Sequence, residues 1–419
     1  MASTAKPQIA IIGAGPAGLT LGLLLHRQGV PFKIYDLRAR PTDEEFTQQS
    51  GMLNLNEGTG LSAIRACNLY DEFIGLTGQC EEADVIADKE GNILHADSGS
   101  GGRPEISRHD LTKLLLSHIP AECISWEHKL LQATPSSSAS QYILDFGSRG
   151  TSTVDLVIGA DGAWSRIRSQ LTDKKPHYSG VTFITLTIPD FTTRYPHLAE
   201  FVGPGTFAAP GDDGNVVMCQ RGVRGAARIY LALKTTEDGV AEFSGLGKAT
   251  AAEAKDKLLS LESGDGRWMT FGTFGPKLQE LIIRGLEDQS GPLDIKPLYM
   301  LPVGQLAWQH KAGVSLIGDA AHLMTPFAGE GVNLAMRDAL DFSTVIKSAW
   351  DAANGSSNGL KAFNGALESA LPDIEKQLFE RSEETAEETW RNLGLFTSPG
   401  AAPKLAELFS SHGPPAEME

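Results

Sequence analysis

The chain contains few cysteines and no long apolar run, and each absence excludes a class of protein. Its four cysteines, scattered over 419 residues, are Cys67, Cys80, Cys123 and Cys219. None falls in a Cys-x-x-Cys pair or in a Cys/His spacing typical of zinc ligands, so we expect neither a metal site nor a secreted disulfide fold. The longest apolar run near the start, Ile9–Ile12, is too short for a signal sequence or a membrane span. We therefore expect a cytoplasmic protein with reduced thiols.

Positive charge is also scarce. The sequence has 36 Lys and Arg against 52 Asp and Glu, a net charge of -16. Such a surface repels phosphate backbones and anionic lipids, so neither nucleic acid nor a membrane is expected as a partner. The composition, 41% hydrophobic and 21% charged, is typical of a folded globular chain, and its length suits two or three domains.

Four short apolar segments predict strands that are buried on both faces. They lack polar alternation, which is typical of parallel strands covered by helices. The segments are Gln8–Ile12, Phe32–Tyr35, Asp155–Ile158 and Val314–Ile317. Between the first two, Ala17–Gln28 is rich in leucine and predicts a helix, so the chain begins with a βαβ unit.

The middle of the chain has a different pattern. Val181–Ile188, Asn215–Gln220 and Arg228–Lys234 are β-branched and partly alternating, which predicts antiparallel strands inserted between the third and fourth parallel strands. On the first of them, Phe183 and Thr185 share one face, which we expect to line a pocket, while the other face is apolar and belongs to the core.

The C-terminal part of the sequence predicts helices. Val332–Trp350 and Gly359–Leu393 have helical patterns, and a break is expected at Pro372. The acidic stretch Glu375–Glu388 is interpreted as a solvated helix face.

The first chemical motif directly follows the first strand. Gly13, Gly15 and Gly18 form a Gly-x-Gly-x-x-Gly turn that opens the first helix. In such a turn the first glycine permits the tight bend, the second lets the backbone approach a pyrophosphate, and the third lets the helix pack on the strand. Asp36 ends the second strand at the position of a ribose-binding acid. These residues predict a dinucleotide with a free ribose, either FAD or NAD.

Two further motifs follow the other predicted parallel strands. Gly318-Asp319-Ala-Ala-His322 leads into a turn over residues 326–333 at the start of a long helix. Asp319 is placed to accept hydrogen bonds from a ribityl chain, and the turn is placed to direct its amides at a flavin. Both features favour FAD over NAD. The alternative is a βα crossover that binds no ligand. The third motif runs from Asp155 to Arg168 and places Asp161 at the carboxyl edge of the sheet, just before basic residues; a satisfied helix cap is the structural alternative for Asp161. We interpret His322 as a structural residue.

Taken together, the motifs resemble those of the FAD-dependent aromatic hydroxylases, the group A flavoprotein monooxygenases typified by para-hydroxybenzoate hydroxylase. Within that group the sequence is most similar to the tetracycline-inactivating flavin monooxygenases, over about residues 8–395. The resemblance implies non-covalent FAD, NADPH or NADH as a transient reductant, O2, and a cyclic small-molecule substrate. A flavin C4a-hydroperoxide would hydroxylate an electron-rich aromatic, phenolic or polycyclic compound, with no dedicated catalytic side chain. The protein is expected to be a monomer.

The resemblance also implies the site residues. Those expected to bind the cofactor are Gly13, Gly15, Ala17, Gly18, Asp36, Arg38, Arg108, Asp161, Asp319, Pro326, Gly329, Gly331, Val332 and Asn333. Those expected to contact substrate are Phe183, Thr185, Met218, Arg228, Pro326, Phe327 and Gly329. The chain departs from the family pattern at two positions: Leu37 stands where an arginine is frequent, and Glu330 where glutamine is common.

The expected fold is α/β: a Rossmann-like, three-layer FAD-binding domain with a parallel sheet, interrupted by a β-sheet-rich substrate domain and followed by a long C-terminal helix. The expected FAD-binding domain is discontinuous and comprises residues 1–75, 103–175 and 300–355. The substrate domain comprises residues 76–102 and 176–299, and a helical segment covers residues 356–419.

Several alternative functions use the same motifs. An FAD oxidoreductase of this fold could carry out epoxidation, Baeyer–Villiger oxidation or dehydrogenation. A flavin halogenase is disfavoured because no tryptophan lies in a Trp-x-Trp-x-Ile-Pro segment. A nicotinamide dehydrogenase and a ligand-sequestering protein without turnover are the two remaining alternatives.

Overall fold

The computed structural model describes residues 6–78, 81–99, 102–137, 141–261 and 266–411. Cys80 lies outside these ranges, while Cys67, Cys123 and Cys219 lie within them as free thiols. None of the described helices combines the length and the apolarity needed to cross a bilayer.

The helices alternate with strands in the first half of the chain and dominate its end. They are α1 (Pro16–Arg27), α2 (Asp43–Thr47), α3 (Gly60–Ala66), α4 (Tyr70–Ile74), α5 (Arg108–Ser117), α6 (Phe191–Arg194), α7 (Pro196–Val202), α8 (Val240–Phe243), α9 (Ala251–Leu258), α10 (Pro276–Glu287), α11 (Asp319–His322), α12 (Gly331–Asn354), α13 (Gly359–Phe396) and α14 (Ala401–Ser411). The α/β fold class is confirmed.

A five-stranded parallel sheet contains the four predicted buried strands. Its members are β1 (Ile9–Ile12), β2 (Lys33–Tyr35), β7 (Ile124–Ser125), β11 (Leu156–Gly159) and β17 (Val314–Leu316). They lie in the order β17, β11, β1, β2, β7. β1 and β11 are buried along their whole length because α1 and α12 pack together in the same apolar core, and this burial explains the absence of polar alternation. Only the two-residue β7 was not predicted.

A seven-stranded sheet contains the predicted antiparallel strands and several more. Its members are β4 (Asp84–Ala87), β5 (Ile93–Ala96), β12 (His177–Ile188), β13 (Thr206–Pro210), β14 (Val216–Arg221), β15 (Ala227–Lys234) and β16 (Asp294–Met300). Their order is β16, β12, β15, β14, β13, β4, β5, and only β13 and β4 run parallel. Ile184, Leu186 and Ile188 on one face of β12 pack into a core with α10, as the apolar face predicted.

Two small sheets complete the strands. β3 (Met52–Asn54) pairs with β6 (Glu105–Ser107), and β8 (Gln132–Pro135), β9 (Tyr142–Asp145) and β10 (Thr151–Val154) form an antiparallel meander.

The long helix α13 contradicts two expectations. It runs without interruption through Pro372, so the predicted break is wrong; the helix packs along α12, with Leu371 fully buried, and this packing outweighs the lost backbone hydrogen bond. The acidic stretch is also not wholly solvated. Glu375 is buried, where its carboxylate accepts hydrogen bonds from Ser315 Oγ at 2.6 Å and pairs with His310 Nδ1 at 2.8 Å.

Candidate active site

The parallel sheet brings the three sequence motifs to one edge. Parallel strands all end on the same side, and β17, β11 and β1 are direct neighbours. The loops that follow them start at Ile317, Ala160 and Gly13 respectively. Asp36 follows β2 on the other side of β1. Segments that are about 300 residues apart in sequence therefore meet at the carboxyl ends of four adjacent strands, where open α/β sheets bind their ligands.

Close backbone approaches join these loops. Gly13 has φ +110°, and a β-carbon there would lie 2.2 Å from the carbonyl oxygen of Ala160. A β-carbon on Gly318 would lie 3.1 Å from the Cβ of Ala17. The first turn thus contacts both of the others, and small residues are needed where they touch.

The amino terminus of α1 is open toward this edge. Gly15 is the N-cap and no side chain caps the helix, so its first amides and the positive end of the helix dipole are available to an anion. A β-carbon built on Gly15 meets no atom within 4 Å. The space and the donors fit the pyrophosphate of a dinucleotide.

Asp36, directly after β2, is held by several donors. Its Oδ2 accepts the Ala14 amide at 2.6 Å, and its Oδ1 accepts the Arg38 amide at 2.8 Å and Arg38 Nε at 3.0 Å. Burial by itself would raise the pKa of Asp36, but the bonds from Arg38 and the amides outweigh it and lower the pKa. Leu37 points into solvent, with 62% of its surface exposed. Arg38 therefore pairs with Asp36, although Leu37 stands at the position where the family frequently has an arginine.

Arg168 is a buried residue at this edge to which the sequence analysis assigned no role. Its guanidinium donates to the carbonyl oxygens of Asp319 at 2.7 Å, Ala320 at 2.7 Å and Ala163 at 2.8 Å. It therefore joins the loop after β11 to the loop after β17. Two of the three partners are main-chain atoms about 150 residues away, which leave no pattern in one sequence, although the position of Arg168 within the third motif was a signal.

Replacing Arg168 by Lys should weaken FAD binding. Lysine keeps the charge but cannot present a planar fork to three carbonyls, and loss of one or two such bonds corresponds to about ten- to hundredfold in affinity. Titration of the apoprotein with FAD measures the effect. Arg166→Lys, at an exposed neighbouring position, is the matched control and should bind FAD normally; equal affinities in the two variants would contradict the bridging role.

The acids of the second and third motifs have different surroundings. Asp161 Oδ2 accepts the amide of Arg166 at 2.7 Å, so this oxygen stabilises the loop that contains Asp161, as the structural alternative predicted. Burial raises the pKa of Asp161. Asp319 is exposed, and within the described residues its carboxylate accepts no hydrogen bond. Asp319 is therefore open to a polyol chain, whereas Asp161 has only one oxygen to offer.

His322 is a structural residue, as the sequence analysis expected. It is 1% exposed, and its Nε2 lies 2.7 Å from Asp338 Oδ2. The same oxygen accepts the Gly318 amide at 3.0 Å. His322 and Asp338 thus fix the turn that carries Asp319.

The turn before α12 has open space beside its two glycines. Pro326 and Gly329 are exposed, and β-carbons on Gly329 and Gly331 would meet no atom within 4 Å. Val332 is partly buried against the parallel-sheet core. Asn333 is fully buried, where its amide accepts from Asn56 N at 2.8 Å and donates to the carbonyl of residue 54 at 2.9 Å. Its side chain is thus used within the protein, whereas the space beside Gly329 and Gly331 is open.

Glu330, the second departure from the family pattern, also lies in this turn. Its carboxylate accepts a hydrogen bond from the Asn56 side chain. Burial is the main factor that raises the pKa of Glu330, the charge of Glu388 adds to it, and Arg103 opposes it.

Helix α13 holds the same turn from the other side. Thr389 Oγ1 donates to the carbonyl of Thr325 at 2.7 Å, and Asn392 Nδ2 donates to the carbonyl of Phe327 at 3.1 Å. The C-terminal helix therefore braces the turn.

One face of the seven-stranded sheet forms a floor next to this turn. Thr185, Tyr230 and Met218 are direct cross-strand neighbours on β12, β15 and β14. The ring of Phe183 lies 5.6 Å from that of Tyr230 and 6.0 Å from that of Phe327 in the turn. The structure thus brings the predicted substrate residues together against the predicted flavin turn.

Arg228 and Tyr230 give the floor its polar groups. Arg228 donates to the carbonyl of Gln49 at 3.2 Å and lies 3.9 Å from Asp294. Burial raises the pKa of Tyr230, while the charges of Arg228 and Arg108 oppose this shift. Arg108 is exposed, and its charge acts on the Tyr230 hydroxyl of this floor. The sequence analysis did not assign Tyr230, although its alternation with Arg228 places both on one face.

Comparisons with known proteins agree with this geometry. A family model described as an FAD binding domain matches residues 6–237 and 303–358. The monooxygenase penA of Penicillium thymicola is 37% identical over 438 residues, which cover 98% of this chain and 100% of that protein. A solved variant of HpxO from Klebsiella pneumoniae, complexed with FAD, superposes with a TM-score of 0.72 at 17% identity over 97% of this chain and 94% of that one. A tetracycline destructase gives 0.61 at 17% identity, covering 95% and 98%.

The family model covers well over half of the chain, and the described loops offer an amide-rich turn, an open acid and small residues where FAD requires them. The predicted resemblance and cofactor are confirmed. The chain belongs to the FAD-binding-domain family and is an FAD-dependent monooxygenase.

Proposed function

We propose that the enzyme hydroxylates an electron-rich aromatic, phenolic or polycyclic small molecule, with NADPH or NADH as a transient reductant and O2 as the oxidant. The observation that carries this proposal is the contact between Phe183 on the sheet floor and Phe327 in the turn before α12. A flat substrate lying on Phe183, Tyr230 and Met218 would face whatever that turn binds. Bound FAD supplies the oxygen-transfer chemistry.

We propose that FAD lies along the carboxyl edge of the parallel sheet. Main-chain amides at Gly15, Ala17 and Gly18 would hold the pyrophosphate, with Gly13 shaping the turn. Asp36 and Arg38 would contact the adenosine part of FAD, and Asp319 would contact its ribityl chain. Asp161 would stabilise the loop beside that chain. The isoalloxazine would meet main-chain groups over residues 326–333, with Arg108 at the substrate side.

The floor would orient the substrate and exclude water. Phe183, Met218 and Phe327 belong to one apolar cluster, and a dry pocket favours oxygen transfer over release of peroxide. Thr185 offers a hydroxyl at the centre of the floor. Arg228 would hold an anionic or enolic group of the substrate, since its guanidinium is still 21% exposed.

We also propose the domain division given by the sequence: residues 1–75, 103–175 and 300–355 bind FAD, residues 76–102 and 176–299 bind substrate, and residues 356–419 form the helical segment. Pairing of β4 with β13 supports the inclusion of residues 76–102 in the substrate domain. We propose a monomer in the cytoplasm; the three free thiols among the described residues support the reducing compartment.

A screen of NADPH and NADH oxidation tests this function. Simple phenols, hydroxyquinolines and tetracyclines are added to the FAD-loaded enzyme, and isotope-labelled O2 traces the product oxygen. We expect a phenolic compound to stimulate oxidation, to gain one labelled oxygen atom on carbon and to release little peroxide. A labelled oxygen inserted next to a carbonyl would indicate Baeyer–Villiger oxidation, and a labelled epoxide would indicate epoxidation. A desaturated product without label would indicate dehydrogenation. Each of these results would contradict hydroxylation.

Arg228→Met should separate substrate binding from FAD binding. The change removes a charged donor but keeps the length of the side chain, so we expect KM for an acidic phenol to rise by about tenfold or more, the effect of one charged hydrogen bond. FAD content should not change. Arg224→Met, on the exposed loop between β14 and β15, is the control. An unchanged KM in Arg228→Met would remove Arg228 from the substrate site.

A further inference from the structure

Glu330 lies directly before the first amides of α12. It is the N-cap residue of this helix, and its side chain accepts no hydrogen bond from those amides. The amides and the positive end of the helix dipole are therefore free to stabilise negative charge in the open space beside Gly331. A carboxylate at this position places a negative charge of the protein next to the same space.

The half-buried carboxylate of Glu330 has a partner that suits both of its protonation states. Asn56 Nδ2 donates a hydrogen bond to Glu330 Oε1. The oxygen of the same amide, Asn56 Oδ1, is buried and has no hydrogen bond among the described residues. Because turning an amide over exchanges its donor and its acceptor, Asn56 can donate to an ionised Glu330 or accept from a protonated one.

Two charged residues act on Glu330 in opposite directions. Burial is the main cause of the raised pKa of Glu330, the charge of Glu388 on α13 adds to it, and Arg103 lowers it. Arg103 is shared, because its Nε also donates to Glu82 at 2.5 Å. Since a shielded carboxyl gains a proton at a higher pH than an exposed one, Glu330 can change its charge closer to neutral pH than an ordinary glutamate.

Reduction changes the charge of the cofactor that this turn would hold. A hydride from NADPH or NADH carries two electrons and one proton, so the flavin gains one negative charge. This charge gathers on the pyrimidine edge of the ring system, and an ionised carboxylate close by in a poorly hydrated site opposes it. A proton that Glu330 takes up from water removes the repulsion and restores the charge balance of the site.

With the isoalloxazine in its proposed position at residues 326–333, on which this inference rests, we propose that Glu330 sets the reduction potential of bound FAD and binds a proton when the flavin is reduced. The ionised carboxylate disfavours reduced flavin and lowers the potential, whereas the protonated acid does not. The potential is therefore depressed at high pH, and this depression is lost as the pH falls and Glu330 is protonated.

The test is the reduction potential of the FAD-loaded protein, measured against a reference dye from about pH 5.5 to about pH 9, above the ordinary pKa of glutamate. Glu330→Gln keeps the size of the side chain and an acceptor for Asn56 but carries no charge. At the upper end of this range, we expect the variant to favour reduced over oxidised FAD at least about tenfold more than the wild type, which is about 30 mV for a two-electron couple. The difference should shrink as the pH falls.

Glu388 supplies a second test, because its charge favours the protonated form of Glu330. In a Glu388→Gln background, the difference made by Glu330→Gln should begin at a lower pH. Glu387→Gln neutralises an exposed neighbour on the same helix and should leave the onset unchanged. Equal potentials of the wild type and Glu330→Gln throughout, or a difference that does not vary with pH, would overturn the proposal.

Gly331→Ala separates this proposal from the position of the flavin. A β-carbon on Gly331 meets no protein atom within 4 Å, so the methyl group would contact the isoalloxazine and shift its absorbance bands. Shifted bands in Gly331→Ala with no effect of Glu330→Gln would reject the role of Glu330 alone, and no effect of either variant would reject the flavin position as well. Neither measurement uses a substrate, so both are independent of whether the enzyme hydroxylates a phenol.

Discussion

Gly15→Val is expected to give a folded protein that purifies without FAD. The backbone of Gly15, at φ -83° and ψ -178°, is extended, a conformation that valine adopts readily. Its β-carbon would meet no protein atom within 4 Å. The side chain would instead occupy the space in which a pyrophosphate approaches the amides of α1. Loss of about two hydrogen bonds to a charged group corresponds to a hundred- to ten-thousandfold lower affinity.

The measurement is the FAD content of the purified variant together with its circular dichroism. Gly365→Val, an open helical glycine remote from the edge, should keep its FAD. Gly18→Val should behave differently from Gly15→Val, because its β-carbon would lie 2.0 Å from the Gly13 carbonyl oxygen and the fold itself would suffer. A yellow, active Gly15→Val protein would refute the position of the pyrophosphate.

Asp319→Ala is expected to be the next most damaging change for FAD retention. The carboxylate is exposed and accepts no hydrogen bond within the described residues, while Arg168 and the His322–Asp338 pair fix the backbone around it. Loss of one charged hydrogen bond to the ribityl chain corresponds to about ten- to hundredfold in affinity. The fold should be unaffected, because none of the described groups loses a hydrogen bond.

Titration of the apoprotein with FAD measures this loss. Asp319→Asn keeps an acceptor oxygen and should recover part of the affinity, whereas the exposed surface change Asp373→Ala should have no effect. If Asp319→Ala binds FAD like the wild type, the ribityl chain does not lie at this acid.

The sequence was sufficient for four of the five strands of the parallel sheet because their signals are local. Each of the four strands is a short apolar run, and each ends at a glycine or an acid that has a chemical reason to be there. The assignment of Phe183 and Ile184 to opposite faces followed from the two-residue period of a strand, and the structure has Ile184 in the core with α10 and Phe183 in a separate cluster.

Features that depend on tertiary contacts could not be found in this way. Arg168 acts on main-chain carbonyls of the loop after β17, which carry no residue signature. Proline disfavours the interior of a helix, which is why a break was expected at Pro372, but packing of α13 along α12 outweighs this preference. Glu375 looked solvated because its neighbours are acidic, yet it has His310 and Ser315 as partners from distant segments.

The most direct test of the account is the absorbance spectrum of the purified protein, followed by assay of the flavin released when the protein is unfolded. The account predicts a yellow protein that releases about one equivalent of FAD on unfolding, since no covalent bond holds the cofactor along the sheet edge. A colourless protein that does not take up added FAD would contradict the assignment of the three loops to a flavin site.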